Sequence, residues 1–275
     1  MKIDLKNSTF IIPLRIESED RLRNIITVLC FILESFDCKV IVKEVDTESV
    51  FEVNALPQIK DFLDGDISYL THIFEKSHDK VFYRMRYLNE MIAMADTDII
   101  INYDCDVLMK PETYVESCRM ISNNNYDLVY PYGFGSWQKQ IFADDKLVSE
   151  FLSNDCDFSV LEKKHIENLS RYGHVQFFNR KSYIEGGMEN ENFKGSSPED
   201  IERHHRFITL GYNVGRLDHW IYHLEHSRGD NSWPVSYEKN PHMRDNLELW
   251  DYLQKLNKKQ LKNYYASQKY LKKYN

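Results

Sequence analysis

The sequence predicts an α/β fold: a mixed, mainly parallel sheet flanked by helices over residues 1–238, with a helical extension over 239–275. Three observations predict it. The N-terminal half runs strand, helix, strand at the spacing of a βαβ unit. A continuous β-branched run, Ile99-Ile100-Ile101, reads as a central strand covered on both faces. From about residue 240 the chain turns to a helical pattern rich in Lys and Tyr, "LELWDYLQKLNKKQLKNYYASQKYLKKYN".

"STFIIPL" (8–14) reads as a first strand that ends at Pro13. "SEDRLRNIITVLCFILESF" (18–36) has a cap-type Ser18, acidic residues in its first turn and apolar residues at helical spacing, so it predicts a helix. "CKVIVKEVD" (38–46) is the second strand, and "VFYRMRYLNEMIAMA" (81–95) is a helix leading into the strand at 99. That strand runs out in "INYDCDVLMKP" (101–111), where Pro111 is expected to stop it. Alternation along an extended chain puts Asp104 and Asp106 on one side and Cys105 on the other. Two carboxylates so held repel each other unless a cation, a proton or a donor compensates. A plainer reading has both aspartates solvated and capping a turn. Ligands of open α/β sheets bind at the carboxyl ends of strands, and Pro13-Leu14-Arg15, Asp46 and Asp104/Asp106 all fall at such ends. In the middle, about 130–170, "YPYGFGSWQKQIF" is aromatic and glycine-broken and reads as loop or irregular strand, and "DDKLVSEFLSNDCDFSVLEKKHIENL" is mixed. No repeat or low-complexity linker divides the chain.

The 275 residues are 42% hydrophobic, enough to bury one large core. A net charge of −8 argues against general nucleic-acid binding, which needs a basic footprint. Five scattered cysteines without a CxxC pair suggest a reducing compartment and neither a zinc site nor a disulfide framework. The start has no apolar targeting segment and no run spans a bilayer, so a cytoplasmic location is expected.

Several segments resemble, in order, those of β-1,4-galactosyltransferases and related bacterial chondroitin-type polymerases. "GGMENENFKGSSPEDIERHHRFITLGYNVGR" (186–216) is similar to their C-terminal signature, roughly GG-x-x-E-x-F-x-G-W-G-x-E-D, a helix, then a glycine and a basic residue. "IPLR" (12–15) resembles the I-P-F-R that opens their nucleotide pocket. "FYRMRYLN" (82–89) resembles F-N-R-A-K-L-L-N, "YDCDVLMKP" (103–111) the D-V-D strand end, and "HLEHSR" (223–228) M-x-x-H-S-R. The resemblance covers about 10–230 and implies a GT-A fold and an inverting, metal-dependent transfer of galactose or N-acetylgalactosamine from a UDP-sugar to a glycan hydroxyl. A role in bacterial surface polysaccharide synthesis follows from the same resemblance.

The resemblance assigns residues one by one. Asp106 is the metal ligand of the aspartate pair and Asp104 orients the ribose or the water shell of the ion. His226 matches the family histidine, and His223 stands where vertebrate members use methionine, a replacement by a harder ligand that favours Mn²⁺, with Mg²⁺ also open. Two residues three apart reach one ion only where the chain leaves the strand conformation, and the plainer reading is a pair of surface histidines. His219 is the decoy nearby. Pro13, Arg15, Arg84 and Asn89 belong to the nucleotide motifs; guanidinium forks at Arg15 and Arg84 suit phosphate or uracil carbonyls, or are solvated charges. Asp46 meets uracil or ribose, or caps the exit of the second strand.

Gly173 and His174, in "YGHVQFF", fall on the family's donor-sugar wall, where His174 replaces a glycine and bears on sugar choice; Gly187 lets the backbone pass the donor sugar, or forms a turn. By the same resemblance Glu199 contacts the acceptor and Asp200 is the general base. The plainer reading of the same stretch is a helix start with Ser197 as N-cap, Pro198 at N1 and Asp200 closing a capping box, and Gly211 ending the helix. Ser196-Ser197-Pro198 departs from the family's tryptophan-containing lid.

Two other functions fit. Polypeptide N-acetylgalactosaminyltransferases carry a similar GG-x-x-E-x-F-x-G stretch, which allows a retaining GT-A transferase. A non-catalytic sugar-nucleotide or glycan-binding module is the other. The extension's seven lysines, interleaved with Tyr264, Tyr265, Tyr270 and Tyr274, suit an anionic membrane surface at the inner face of the cell, where a lipid-linked glycan acceptor would sit; a solvated helix or a packing arm suits them equally.

Overall fold

The computed structural model describes residues 2–124, 126–195, 197–228 and 240–274. In chain order the strands are β1 (Ile3–Leu14), β2 (Phe36–Asp46), β3 (Leu70–Lys76), β4 (Ile99–Tyr103), β5 (Val107–Leu108), β6 (Leu128–Tyr130), β7 (Gly135–Ile141), β8 (His165–Ser170), β9 (Val175–Asn179), β10 (Val214–Arg216) and β11 (Ile221–Leu224). The α-helices are α1 (Glu19–Ser35), α2 (Leu56–Phe62), α3 (Arg84–Met94), α4 (Pro111–Asn124), α5 (Asp145–Ser153), α6 (Phe158–Leu161), α7 (Arg180–Glu185), α8 (Glu199–Leu210), α9 (Met243–Leu253) and α10 (Lys258–Ala266).

A seven-stranded sheet runs β10-β6-β9-β4-β1-β2-β3. Every pairing in it is parallel except the two made by β9, with β4 and β6. Its centre is dry: all five residues of β4 are buried, as are Phe10, Ile11 and Ile12 of β1. This is the doubly covered strand that the β-branched run at 99–101 implies, with α3 packed on β1 and β2 and α4 on β1, β6 and β9. The expected mainly parallel α/β architecture is the observed one.

Two local expectations give way, at Pro111 and at the end of β4. The irregular-strand reading of "YPYGFGSWQKQIF" describes β7, whose pairing with β8 slips register between Gly135 and Gln138; β7 and β8 join β5 and β11 in a four-stranded sheet, order β5-β11-β7-β8. Its partners are remote in sequence, so no local period announces it. Pro111 is the first residue of α4, where its missing N–H costs nothing. Strand β4 ends at Tyr103, and Asp104-Cys105-Asp106 form a turn instead of continuing the alternation. That turn is pinned by Tyr103 Oη donating to Val107 O (2.8 Å), Asp104 N to His174 O (3.0 Å) and Leu224 N to Asp106 O (2.8 Å).

The extension is packed, with Tyr265 and Tyr270 buried and Tyr252 exposed. Leu253, Leu261, Tyr265 and Tyr270 are buried. The Tyr265 hydroxyl donates to Glu202 Oε1 at 2.5 Å while its ring lies 4.5 Å from the Arg206 guanidinium. Gly187, at φ +95°, makes room: a Cβ there would sit 2.4 Å from the Tyr265 ring. The packing-arm reading therefore describes these side chains. The boundary expected at 238/239 lies outside the described residues.

Candidate active site

A cavity of about 430 Å³ opens where β1, β4 and β11 end and where β9, α3 and α8 begin. Sequence-distant carboxylates, imidazoles and guanidinium groups converge on it, as strand-end geometry predicts.

On one side stand Asp106, His223 and His226, all buried, with one donor atom from each within 4.8 Å of the others. His223 belongs to β11, and the chain leaves the strand after Leu224, which lets His226 turn back to the same point. The ring nitrogen Nδ1 of His226 meets the Ser227 carbonyl at 2.8 Å, which puts its proton there and leaves a lone pair on Nε2. That lone pair faces Asp106 Oδ2 at 3.0 Å, an arrangement that calls for a cation between them. Burial, aided by His174, His226 and Arg228, pushes His223 down to about 3 against the pull of Asp106, so it is a neutral donor. Asp106 is destabilised as an anion by burial, yet His223, His226 and Arg21 hold its carboxyl well below the usual range. One carboxylate and two imidazoles fit a divalent metal ion. His219 is elsewhere, bonded through Nδ1 to Thr113 Oγ1 at 2.9 Å.

Asp104 has a different partner. Arg84 Nη2 donates to its Oδ1 at 2.7 Å, so the repulsion between the two aspartates is relieved at Asp104 by a residue of α3. Burial and Asp106 still outweigh Arg84 and raise the Asp104 pKa. Beside it, His174 sits at φ +66°, a left-handed backbone that favours glycine, which accounts for the glycine in the related motif. Its Nε2 meets Gln138 Oε1 at 3.0 Å.

Opposite the histidines stand Glu199 and Asp200, the first two residues of α8. No side chain caps this helix; Pro198 holds the N-cap position, so the expected capping box from Ser197 and Asp200 does not form. Gly211 does end the helix, at φ +86°. Ser196 lies outside the described residues. One face of α8 buries a charged lattice: Arg203 bonds Glu189 with Nε (2.6 Å) and Nη2 (2.8 Å) and holds Asp200 Oδ1 with Nη1 (2.7 Å). Burial raises the Asp200 pKa, but Arg203 and Arg84 more than reverse this, so it is an anion. Glu199 has no such partner on Oε2, and burial together with Asp200 pushes it up to about 7. Gly173 is small for a reason: a Cβ there would lie 2.9 Å from Asp200 Oδ2.

Of the expected residues, Pro13, Arg15, Arg84, Asp104, Asp106, Gly173, His174, Glu199, Asp200, His223 and His226 all line this cavity. Arg15 donates to the carbonyls of Val45 (2.9 Å) and Lys80 (3.1 Å) and lies 5.3 Å from the Phe82 ring. Three expected residues do not line it. Asn89 is fully buried and spent on Glu189 O, Glu189 N and Glu191 Oε1. Gly187 faces Tyr265 instead. Asp46 accepts from Thr47 N at the exit of β2, which is the capping alternative. The sequence reading missed Arg21, Arg171 and Arg228 on the cavity wall. Arg228 follows the histidine motif directly, whereas Arg21 carries no local signal because only packing brings the first turn of α1 to Cys105.

No protein-family model and no curated protein matches the sequence. Solved structures do. The mannosyltransferase PcManGT from Pyrobaculum calidifontis, in complex with GDP-Man and Mn²⁺, is 14% identical, with 96% of this chain and 69% of that one covered at a TM-score of 0.53. GalNAc-T7 with UDP, GalNAc and Mn²⁺ is 11% identical over 81% of this chain at 0.52; the match spans 44% of the length of that protein. The catalytic domain of Drosophila β1,4-galactosyltransferase 7 in complex with xylobiose is 13% identical over 87% of this chain and 79% of its own, at 0.45. The fold is that of the GT-A glycosyltransferases.

Proposed function

We propose that this chain is a metal-dependent glycosyltransferase that moves galactose or N-acetylgalactosamine from a UDP-sugar to a hydroxyl of a glycan, with inversion. One juxtaposition carries the reading: the Asp106–His223–His226 donor set and the Glu199–Asp200 pair face a single cavity, with Asp104 and Arg84 between them. Mannosyltransferase PcManGT and GalNAc-T7, which share the fold, are described with a sugar nucleotide or its parts and with Mn²⁺. The ordered galactosyltransferase-type motifs support the choice of sugar.

Asp106, His223 and His226 would hold the ion, which when bound supplies Lewis acidity toward the leaving diphosphate. Arg15, Arg21 and Arg228 add positive charge to the same wall. Arg203 anchors Asp200 Oδ1, leaving Oδ2 to accept the proton of the attacking hydroxyl. Glu199, holding its proton near neutrality, donates a hydrogen bond to the acceptor. His174 narrows the donor-sugar wall. The fold likeness to GalNAc-T7 favours a retaining transfer as the second reading, and the anomeric configuration of the product by NMR separates the two.

The direct test incubates the protein with UDP-galactose, UDP-N-acetylgalactosamine and GDP-mannose and a glycan panel, and follows nucleotide release. Release from a UDP-sugar in Mn²⁺, lost with EDTA, is expected. Full turnover in chelator removes the metal from the reading, and a preference for GDP-mannose removes the UDP-sugar.

A further inference from the structure

The extension segregates charge to a degree found nowhere else in the chain. Between Gln254 and Tyr274 there are seven lysines and no Asp, Glu or Arg, in a protein of net charge −8, which leaves −15 on the remainder. All seven lysines are exposed. Lys255 pairs with Asp251 at 2.6 Å; among the described residues Lys258, Lys259, Lys262, Lys269, Lys272 and Lys273 form no ion pair. At 100° per residue, Lys258, Lys262 and Lys259 fall within about 100° of arc on α10. Leu261 and Tyr265 of the same helix are buried.

We infer that this lysine face docks the protein on an acidic lipid surface. The aromatic side chains decide between polyanions. Nucleic acids are held by rings that stack on bases and by guanidinium forks on phosphates. Within the lysine-rich segment the tyrosine hydroxyls are already engaged, Tyr265 on Glu202 (2.5 Å), Tyr274 on Glu191 (2.7 Å) and Tyr264 as acceptor from Asn192 (3.0 Å), which leaves Tyr252 of α9 as the exposed tyrosine of the extension. What remains outside is an array of hydrated point charges without forks, which suits the smeared potential of anionic headgroups. The inference rests on charge and packing and holds whatever sugar is transferred.

The test uses the full chain and vesicles of phosphatidylcholine with or without phosphatidylglycerol. Cosedimentation with the acidic vesicles at about 0.1 M salt, release at about 0.5 M and no binding to neutral ones are expected. Replacing the six unpaired lysines with Gln should weaken partition at least about tenfold with melting temperature and nucleotide release unchanged. The triple variant K269Q/K272Q/K273Q gives a smaller loss of the same kind and serves if the full set does not fold. Equal binding to neutral vesicles, no binding to acidic ones at low salt, unaltered partition of the variants, or tighter binding to duplex DNA than to the vesicles each overturns the inference.

Discussion

Glu199 and Asp200 are neighbours in the chain but their environments push their protonation apart, and that difference suits the roles proposed for them. Asp200 is held ionised by Arg203 and Arg84. Replacing it with Asn keeps size and removes basicity, so turnover should fall at least about a hundredfold while calorimetric binding of UDP and Mn²⁺ stays intact. Turnover within a few-fold of the parent would move the base to Glu199. The Glu199 carboxyl, raised from 4.5 to about 7, predicts a stability signature of its own. A carboxyl whose folded pKa lies above its unfolded value favours folding fully below the unfolded pKa, and loses that contribution as pH rises through the folded one. Glu199→Gln should therefore stabilise the protein above pH 7, by on the order of 3 kcal/mol, with the gain vanishing toward pH 4. Thermal melts across that range measure it, and a pH-independent difference would contradict the assignment. Asp106→Asn should cost Mn²⁺ affinity, read by titration calorimetry, and leave UDP binding without metal nearly unchanged.

At the scale of elements, α8 links the site to the extension. Its N-terminus carries the two acids, and its buried face carries Arg203 and Arg206, both fully buried. Asn246 of α9 accepts from Lys194 N (3.1 Å) and donates to Ser197 O (3.0 Å), tying down the segment that leads into the acids. Tyr265 of α10 clasps Glu202 and Arg206. Tyr265→Ala should cost about 3 kcal/mol of stability, visible as a lowered denaturant midpoint, because it leaves a cavity and frees Glu202 from its donor. Gly173→Ala probes the other flank: the added methyl displaces Asp200 Oδ2 and should lower turnover roughly tenfold with little change in melting temperature.

For the whole molecule, the extension behaves as part of one core, since Leu253, Leu261, Tyr265 and Tyr270 are buried with the rest. Deleting residues 255–275 should lower the melting temperature by well over the 4 °C or so expected of a 1 kcal/mol change. An unchanged melting curve would instead make the extension an independent unit, as a division at 238/239 would have it. Among the described residues no helix is long and apolar enough to cross a membrane.

The sequence by itself determined the parallel α/β framework, because period and β-branching are local properties. Ile99-Ile100-Ile101, the α1 and α3 patterns and the glycine at 211 can each be read in a window shorter than twenty residues. It also identified the chemistry-bearing residue types and their order along the chain. Tertiary structure alone decided which of them meet. Asp106 lies more than a hundred residues before His223 and His226, and they converge because β11 pairs with β5 in the second sheet. Arg84 pairs with Asp104, and Arg203 holds Asp200 while leaving Glu199 without a comparable partner, through packing that no local spacing encodes. Asn89 and Gly187 read as pocket residues by motif, yet the fold spends both on holding α3, the 186–191 segment and α10 together. The physical reason is common to all of these: secondary structure follows from forces between near neighbours, whereas charge compensation depends on distances of a few ångströms that only the closed core sets.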